Sequence, residues 1–171
     1  MRAFVVAGPA GAGKSTLGSA LARRAGAALV DLDTVTNPLL DALREVVAPG
    51  GHWNDDALRP VVRPARYATL RATASAQVTA GVDVVLVAPF TAELAGGPAW
   101  DELATALSPA AVTVVWLDAS PELRAARVRA RGEARDAATV PAPAPSPGVP
   151  HVRVDAALAT DDQVSHVLGD C

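Results

Sequence analysis

Cysteine is all but absent from this 171-residue chain: its one cysteine, Cys171, has no second thiol with which to close a disulfide, and a reducing compartment is compatible with that. Excess positive charge is lacking too. With 18 acidic and 15 basic residues, a net charge of -3 and a sequence pI of about 5.5, no bulk attraction draws the chain to nucleic acid or an anionic membrane. Any phosphate it binds must be held by a local site. Nor does any apolar run approach the roughly 18 residues that a membrane span requires. The apolar start is interrupted by Gly8, Pro9 and Gly11 and then meets Lys14, unlike a secretory leader. These absences predict a cytoplasmic protein with no nucleic-acid or membrane partner; between monomer and homodimer the sequence does not choose. Lysine is the most pointed scarcity: 14 of the 15 basic residues are arginine, and Lys14 alone is not.

What is present suits one compact domain over residues 1–171, because 50% hydrophobic and 19% charged residues exclude disorder and a coiled coil. Valine-rich runs bounded by turn residues predict strands at 3–7, 27–32, 82–88 and 112–117, with a weaker one at 149–154. Helical spacing predicts helices at 14–25, 39–47, 65–80, 100–107, 121–131 and 161–168. Ser120 before Pro121 supplies a cap and a first-turn proline for one of them, and Gly132 supplies its stop. The strands are nearly continuous in apolar character, as strands covered on both faces are. The expected fold is therefore an α/β three-layer sandwich around a five-stranded parallel sheet. Five prolines in residues 141–150 predict an exposed extended segment.

The chemistry concentrates directly after the first strand. Gly8-Pro9-Ala10-Gly11-Ala12-Gly13-Lys14-Ser15-Thr16 fulfils G-x-x-x-x-G-K-[ST], with a helix following. Average residue usage produces that pattern in roughly half a percent of chains of this length, so coincidence is a poor account of it. Glycines let the loop curl until successive N–H groups face phosphate oxygens, and the helix adds its positive end. Lys14 reaches the terminal phosphates of a nucleotide, and Ser15 can place its hydroxyl on Mg²⁺. Gly8, Ala10, Gly11, Ala12, Gly13 and Thr16 complete the expected nucleotide-binding set.

The second strand ends in Asp31-Leu32-Asp33, beside the loop in a parallel sheet. At a spacing of two both carboxylates can share a side, Asp31 supporting Mg²⁺ and Asp33 taking a proton from a substrate hydroxyl. The competing reading makes them capping and turn acids ahead of a helix. Between the second and third strands, about residues 34–80, lies the segment that should choose an acceptor. Arg63 and Arg66 there can grip an anionic compound such as a sugar acid. His52 is a second base or an exposed loop residue, and Trp53 and Tyr67 are substrate platforms or anchors. Asp118 closes an apolar strand as a metal-holding acid would, yet runs straight into the capped helix, so a structural role is expected. His151 is placed near a nucleotide base.

Residues 8–16, the Asp31-Leu32-Asp33 strand end and residues 84–90 (Val-Val-Leu-Val-Ala-Pro-Phe) resemble the P-loop small-molecule kinases. The resemblance is to the gluconate-kinase, shikimate-kinase and chloramphenicol-phosphotransferase group, which includes AAA-type ATP-binding proteins, and it covers nearly the whole chain. It implies ATP with Mg²⁺, transfer of the γ-phosphoryl group to a small-molecule hydroxyl, and an arginine-bearing lid over about residues 127–150. It puts Arg127 and Arg131 near the nucleotide and Arg135 at the transferring group, although arginines also suit a helix C-terminus as plain surface charge. Two departures stand out. The third strand ends in Ala88-Pro89-Phe90 without an acid, and the proline run shortens and stiffens the lid. Both favour an alternative, an ATP-binding sensor or partner-binding protein that transfers nothing.

Overall fold

The computed structural model describes residues 1–131 and 146–169. Five strands form one sheet: β1 Arg2–Ala7, β2 Ala28–Asp31, β3 Val84–Val87, β4 Ala111–Asp118 and β5 Val152–Asp155. Their order is β2-β3-β1-β4-β5 and every pairing is parallel, with Val5 opposite Leu86 on one side and Val114 on the other. This is the α/β three-layer arrangement expected of strands without a polar face.

Alternation along each strand divides the core in two. Ala3, Val5 and Ala7 of β1, with Val84 and Leu86 of β3, face Tyr67, Leu70, Ala74 and Val78 of α4 (Arg59–Thr79) and Leu103 of α5 (Pro98–Ala106). Phe4 and Val6, with Val85, Val87 and Leu117, face Leu17 and Leu21 of α1 (Lys14–Ala25) and Val164 of α7 (Thr160–Leu168). Burying the sheet on both faces is what lets its strands be short. The α1 helix lies so close to the sheet that a Cβ on Gly18 would come within 2.3 Å of Val87 Cγ2.

Several boundaries differ from expectation. No loop separates β2 from the next helix: α2 (Leu32–Ala42) starts at once, capped by Asp31, and α3 (Arg44–Val47) follows. The α4 helix begins at Arg59 rather than 65, because Pro60 sits in the first turn, where a missing N–H costs nothing. The remaining helix, α6, spans Pro121–Arg131 as expected. The proline segment is not wholly exposed in its described part. Val149 is buried in the core on the same sheet face as α4, and Gly148 N donates to Leu94 O at 2.7 Å.

Candidate active site

The loop between β1 and α1 is built by its glycines. Gly8, Gly11 and Gly13 have φ of 150°, 76° and 101°, and a Cβ on Gly8 would lie 2.7 Å from Leu117 O. Gly13 caps α1 without a side-chain hydrogen bond, and the first turn holds no acid. The amides of that turn are thus directed into the loop, with the helix dipole behind them. Lys14 lies over the same loop, its Nζ donating to Pro9 O at 2.8 Å.

Across from the lysine stands the end of β2. Ser15 Oγ donates to Asp31 Oδ2 at 2.9 Å, while Asp31 Oδ1 accepts from the backbone N–H groups of Asp33 and Thr34. One carboxylate therefore joins the loop to the start of α2. The expectation that Asp31 and Asp33 share a side of a strand is corrected here. The strand stops at Asp31, and Asp33 projects from the first turn of α2. The helix turn still brings both into one cleft of about 330 Å³ with Lys14 and Ser15. A serine hydroxyl beside a carboxylate is a hard-oxygen donor pair of the kind Mg²⁺ takes. Among the described residues no three His, Cys, Asp or Glu side chains gather as a cage. An ion here would complete its shell with water and phosphate, as Mg²⁺ commonly does.

Asp33 is engaged. Its Oδ1 accepts from Arg66 Nη2 at 2.5 Å, and the same guanidinium donates to Asn37 Oδ1 and Thr36 Oγ1, each at 2.9 Å. The Arg66 guanidinium carbon lies 5.0 Å from the centre of the Trp53 ring, whose Nε1 donates to Asp41 Oδ1 at 2.7 Å. Trp53 is 2% exposed, so it is an anchor as well as a wall of the cleft. His52 is held locally: its Nδ1 accepts from Asn54 N at 3.0 Å and its ring lies 4.8 Å from that of Trp53.

Beyond Trp53 the cleft continues into a pocket of about 200 Å³ bordered by Arg63, Tyr67, Pro89 and Thr91. Arg63 pairs with Glu93 at 3.2 Å and lies over the Tyr67 ring at 4.3 Å. The Tyr67 hydroxyl accepts from the N–H of Phe90, a fully buried residue at φ 49°. Burial above all, then the charge of Glu93, pushes the Tyr67 phenol above its ordinary range. Glu93 escaped the sequence reading because no local pattern marks it; only the fold carries it to Arg63.

On the other side of the loop, Arg127 from α6 donates to Ala12 O at 2.5 Å and to Ala156 O at 2.9 Å. It borders a second cleft of about 280 Å³ together with Gly13, Thr16, Leu158 and Gln163. Arg131 closes α6; its side chain and the whole of Arg135 lie outside the described residues. His151 enters β5 rather than leaving it, its Nδ1 2.8 Å from Val149 O, so it misses this cleft at the strands' carboxyl ends. Asp118 is held by Arg153 from the neighbouring strand.

The AAA domain model matches residues 4–144, a span that takes in the loop, both aspartates and Arg127. The chain belongs to the AAA domain family. This AAA domain is similar in fold to a candidate kinase from Chloroflexus aurantiacus J-10-fl (20% identity, TM-score 0.73, 99% of this chain and 94% of that one). It is similar also to a gluconokinase from Sinorhizobium meliloti 1021 (21%, 0.60, 98% and 90%). A third likeness is to the APS kinase of Mycobacterium tuberculosis in complex with AMPPNP and APS (16%, 0.58, 98% and 95%). What the AAA domain shares with them is the P-loop kinase fold. No curated protein sequence matches it. Among its described residues no helix is long and apolar enough to cross a membrane.

Proposed function

We propose that this AAA domain is an ATP-dependent kinase that moves the γ-phosphoryl group to a hydroxyl of a small molecule. One observation carries the reading: Lys14 and Ser15, at the start of α1, face Asp31 and Asp33 across a single cleft that runs on into a side pocket. In that reading the loop amides and Lys14 hold the triphosphate, and the base lies in the cleft beside Arg127. Ser15 and Asp31 hold Mg²⁺, which when bound neutralises charge on the β- and γ-phosphates. Asp33 accepts the proton of the acceptor hydroxyl. The freed oxygen forms a bond to the γ-phosphorus, the bond from that phosphorus to the β,γ-bridging oxygen breaks, and ADP leaves. Arg66 keeps Asp33 aimed and, with Arg63, contacts the acceptor. Arg131 and Arg135 are assigned to the nucleotide and the transferring group.

Lys14 makes the test unusually direct, since it is the chain's single ε-amine. Acylation followed by mass spectrometry should find Lys14 shielded by Mg-ATP while the amino terminus continues to react. Lys14→Ala should fold normally and lose acceptor-dependent ADP formation by about 10²–10³-fold, the usual effect of deleting one preorganised charge contact. Unchanged labelling in the presence of ATP together with full transfer by the variant would overturn the assignment. The absence of an acid at Ala88 supports the sensor reading instead. Tight ATP binding with no turnover over a broad panel of hydroxyl compounds, and Asp33→Asn behaving like wild type, would favour it.

A further inference from the structure

Three arginines line the side pocket, Arg59, Arg63 and Arg66, and each is matched by a carboxylate. Arg66 Nη2 lies 2.5 Å from Asp33 Oδ1, and Arg63 Nη2 lies 3.2 Å from Glu93 Oε2. Arg59, at the rim, pairs with Asp56 at 2.8 Å. Glu93 differs from an ordinary surface partner. It is 3% exposed, sits in a short 3-10 turn, Glu93–Ala95, after β3, and meets an arginine 30 positions away on α4. A surface carboxylate can turn to water when a ligand takes its arginine, but a buried one would be left as an uncompensated charge. The pairing of Arg63 is therefore a fixed property of the pocket. Arg63 is held further by the Tyr67 ring beneath it. The pocket is rich in N–H donors and, with all three carboxylates in place, carries no surplus positive charge; Asp56 and Asp33 are 88% and 61% exposed, so Glu93 is the one of the three that cannot turn away to water.

We propose that Glu93 sets the charge selectivity of the acceptor pocket, so that it takes uncharged hydroxyl compounds and turns away carboxylates and phosphate esters. The proposal rests on the kinase reading for where the acceptor lies. A bound anion would compete with Glu93 for Arg63 and with Asp33 for Arg66, and the buried Glu93 carboxylate behind Arg63 would repel it. A cation would face the guanidinium groups of Arg59, Arg63 and Arg66. A neutral polyol meets neither penalty and still finds donors, because each guanidinium has five N–H groups and its carboxylate takes only some of them. The arginines expected to grip an anion thus keep their place and act as hydrogen-bond donors.

The experiment uses hydroxyl compounds in pairs that differ only in charge: an alditol and its aldonate, a hydroxy acid and its methyl ester, a nucleoside and its 5'-monophosphate. Binding to the full chain loaded with Mg-AMPPNP is followed by saturation-transfer NMR, and ADP release is followed with Mg-ATP. Neutral members should bind at least tenfold more tightly than their anionic counterparts. Glu93→Gln, which keeps shape and removes charge, should shrink that ratio at least tenfold. Preference for the anionic members, binding by no neutral member, or a cooperatively melting Glu93→Gln protein with the wild-type ratio would each overturn the proposal. Should that variant not fold, the wild-type ratio decides alone. Failure of the kinase reading looks different: neutral compounds would bind beside AMPPNP, yet none would release ADP from ATP.

Discussion

Asp31 carries two tasks on two oxygens. Oδ1 caps α2 through the N–H groups of Asp33 and Thr34, and Oδ2 accepts from Ser15. The two tasks separate by substitution. Asp31→Asn retains a carbonyl oxygen for the cap, so its stability should stay close to wild type while its Mg²⁺ requirement for ADP formation rises steeply. Asp31→Ala loses the cap as well, which should cost about 1 kcal/mol on top of the lost activity. Urea melts and Mg²⁺ titrations of both variants distinguish these outcomes, and equal destabilisation of the two would show that the charge rather than the oxygen caps the helix. At this scale the sequence was uneven evidence. Lys14 and Ser15 were legible because a contiguous motif encodes them. The structure shows the capping reading of Asp31, and the same residue still lines the cleft with Lys14 and Ser15, a combination that spacing alone could not reveal. Glu93 was illegible, since its partner lies 30 residues away.

Helices whose ends are written in local chemistry were read to the residue. The α1 helix follows a glycine at positive φ and stops at Gly26, and α6 starts at Pro121 behind Ser120. By contrast, α2 follows its strand without a turn and contains Pro38, so its one local signal was the capping acid Asp31, whose other reading was a site residue. Strand contact also decides how α1 tolerates change. Replacing Gly18 by Ala improves helix propensity by up to about 1 kcal/mol. The new methyl, however, would need the space of Val87 Cγ2, 2.3 Å away on a stiff β-branched side chain buried in the sheet. Overpacking of this kind costs about 1–3 kcal/mol and should prevail. Gly18→Ala should therefore lower the melting temperature, and adding Val87→Ala should recover part of the loss. Because α1 carries Lys14 and Ser15 on its first turn, the same shift should weaken nucleotide protection of Lys14.

Across the whole molecule, the two ends of β3 are tied down by groups that titrate in opposite directions. Before the strand, Asp83 accepts from Arg2 N and Nε, both at 2.7 Å, binding the start of the central strand to its neighbour. Those hydrogen bonds hold its carboxyl below the ordinary 3.8. After the strand, Tyr67 anchors Phe90 from α4, and burial holds its phenol above the ordinary 10.0. A depressed acid stabilises the fold fully above its unfolded pKa and ceases to as pH falls through the folded one. A raised phenol gives its full contribution below the unfolded pKa and loses it as pH rises through the folded one. Stability should therefore be level with respect to both groups between about pH 5 and pH 9 and fall on each side. Asp83→Asn should lower the plateau and flatten the acid limb, and Tyr67→Phe, which leaves the buried Phe90 N–H without its acceptor, should also lower the plateau and flatten the alkaline limb. Tyr67 is the chain's single tyrosine, so phenolate absorbance reports it without ambiguity. Its native midpoint should lie above 10.0 and return there in denaturant. A native midpoint at or below that value would mean that Tyr67 is not enclosed between Phe90 and the Arg63–Glu93 pair, and the pocket wall built on it would have to be drawn differently.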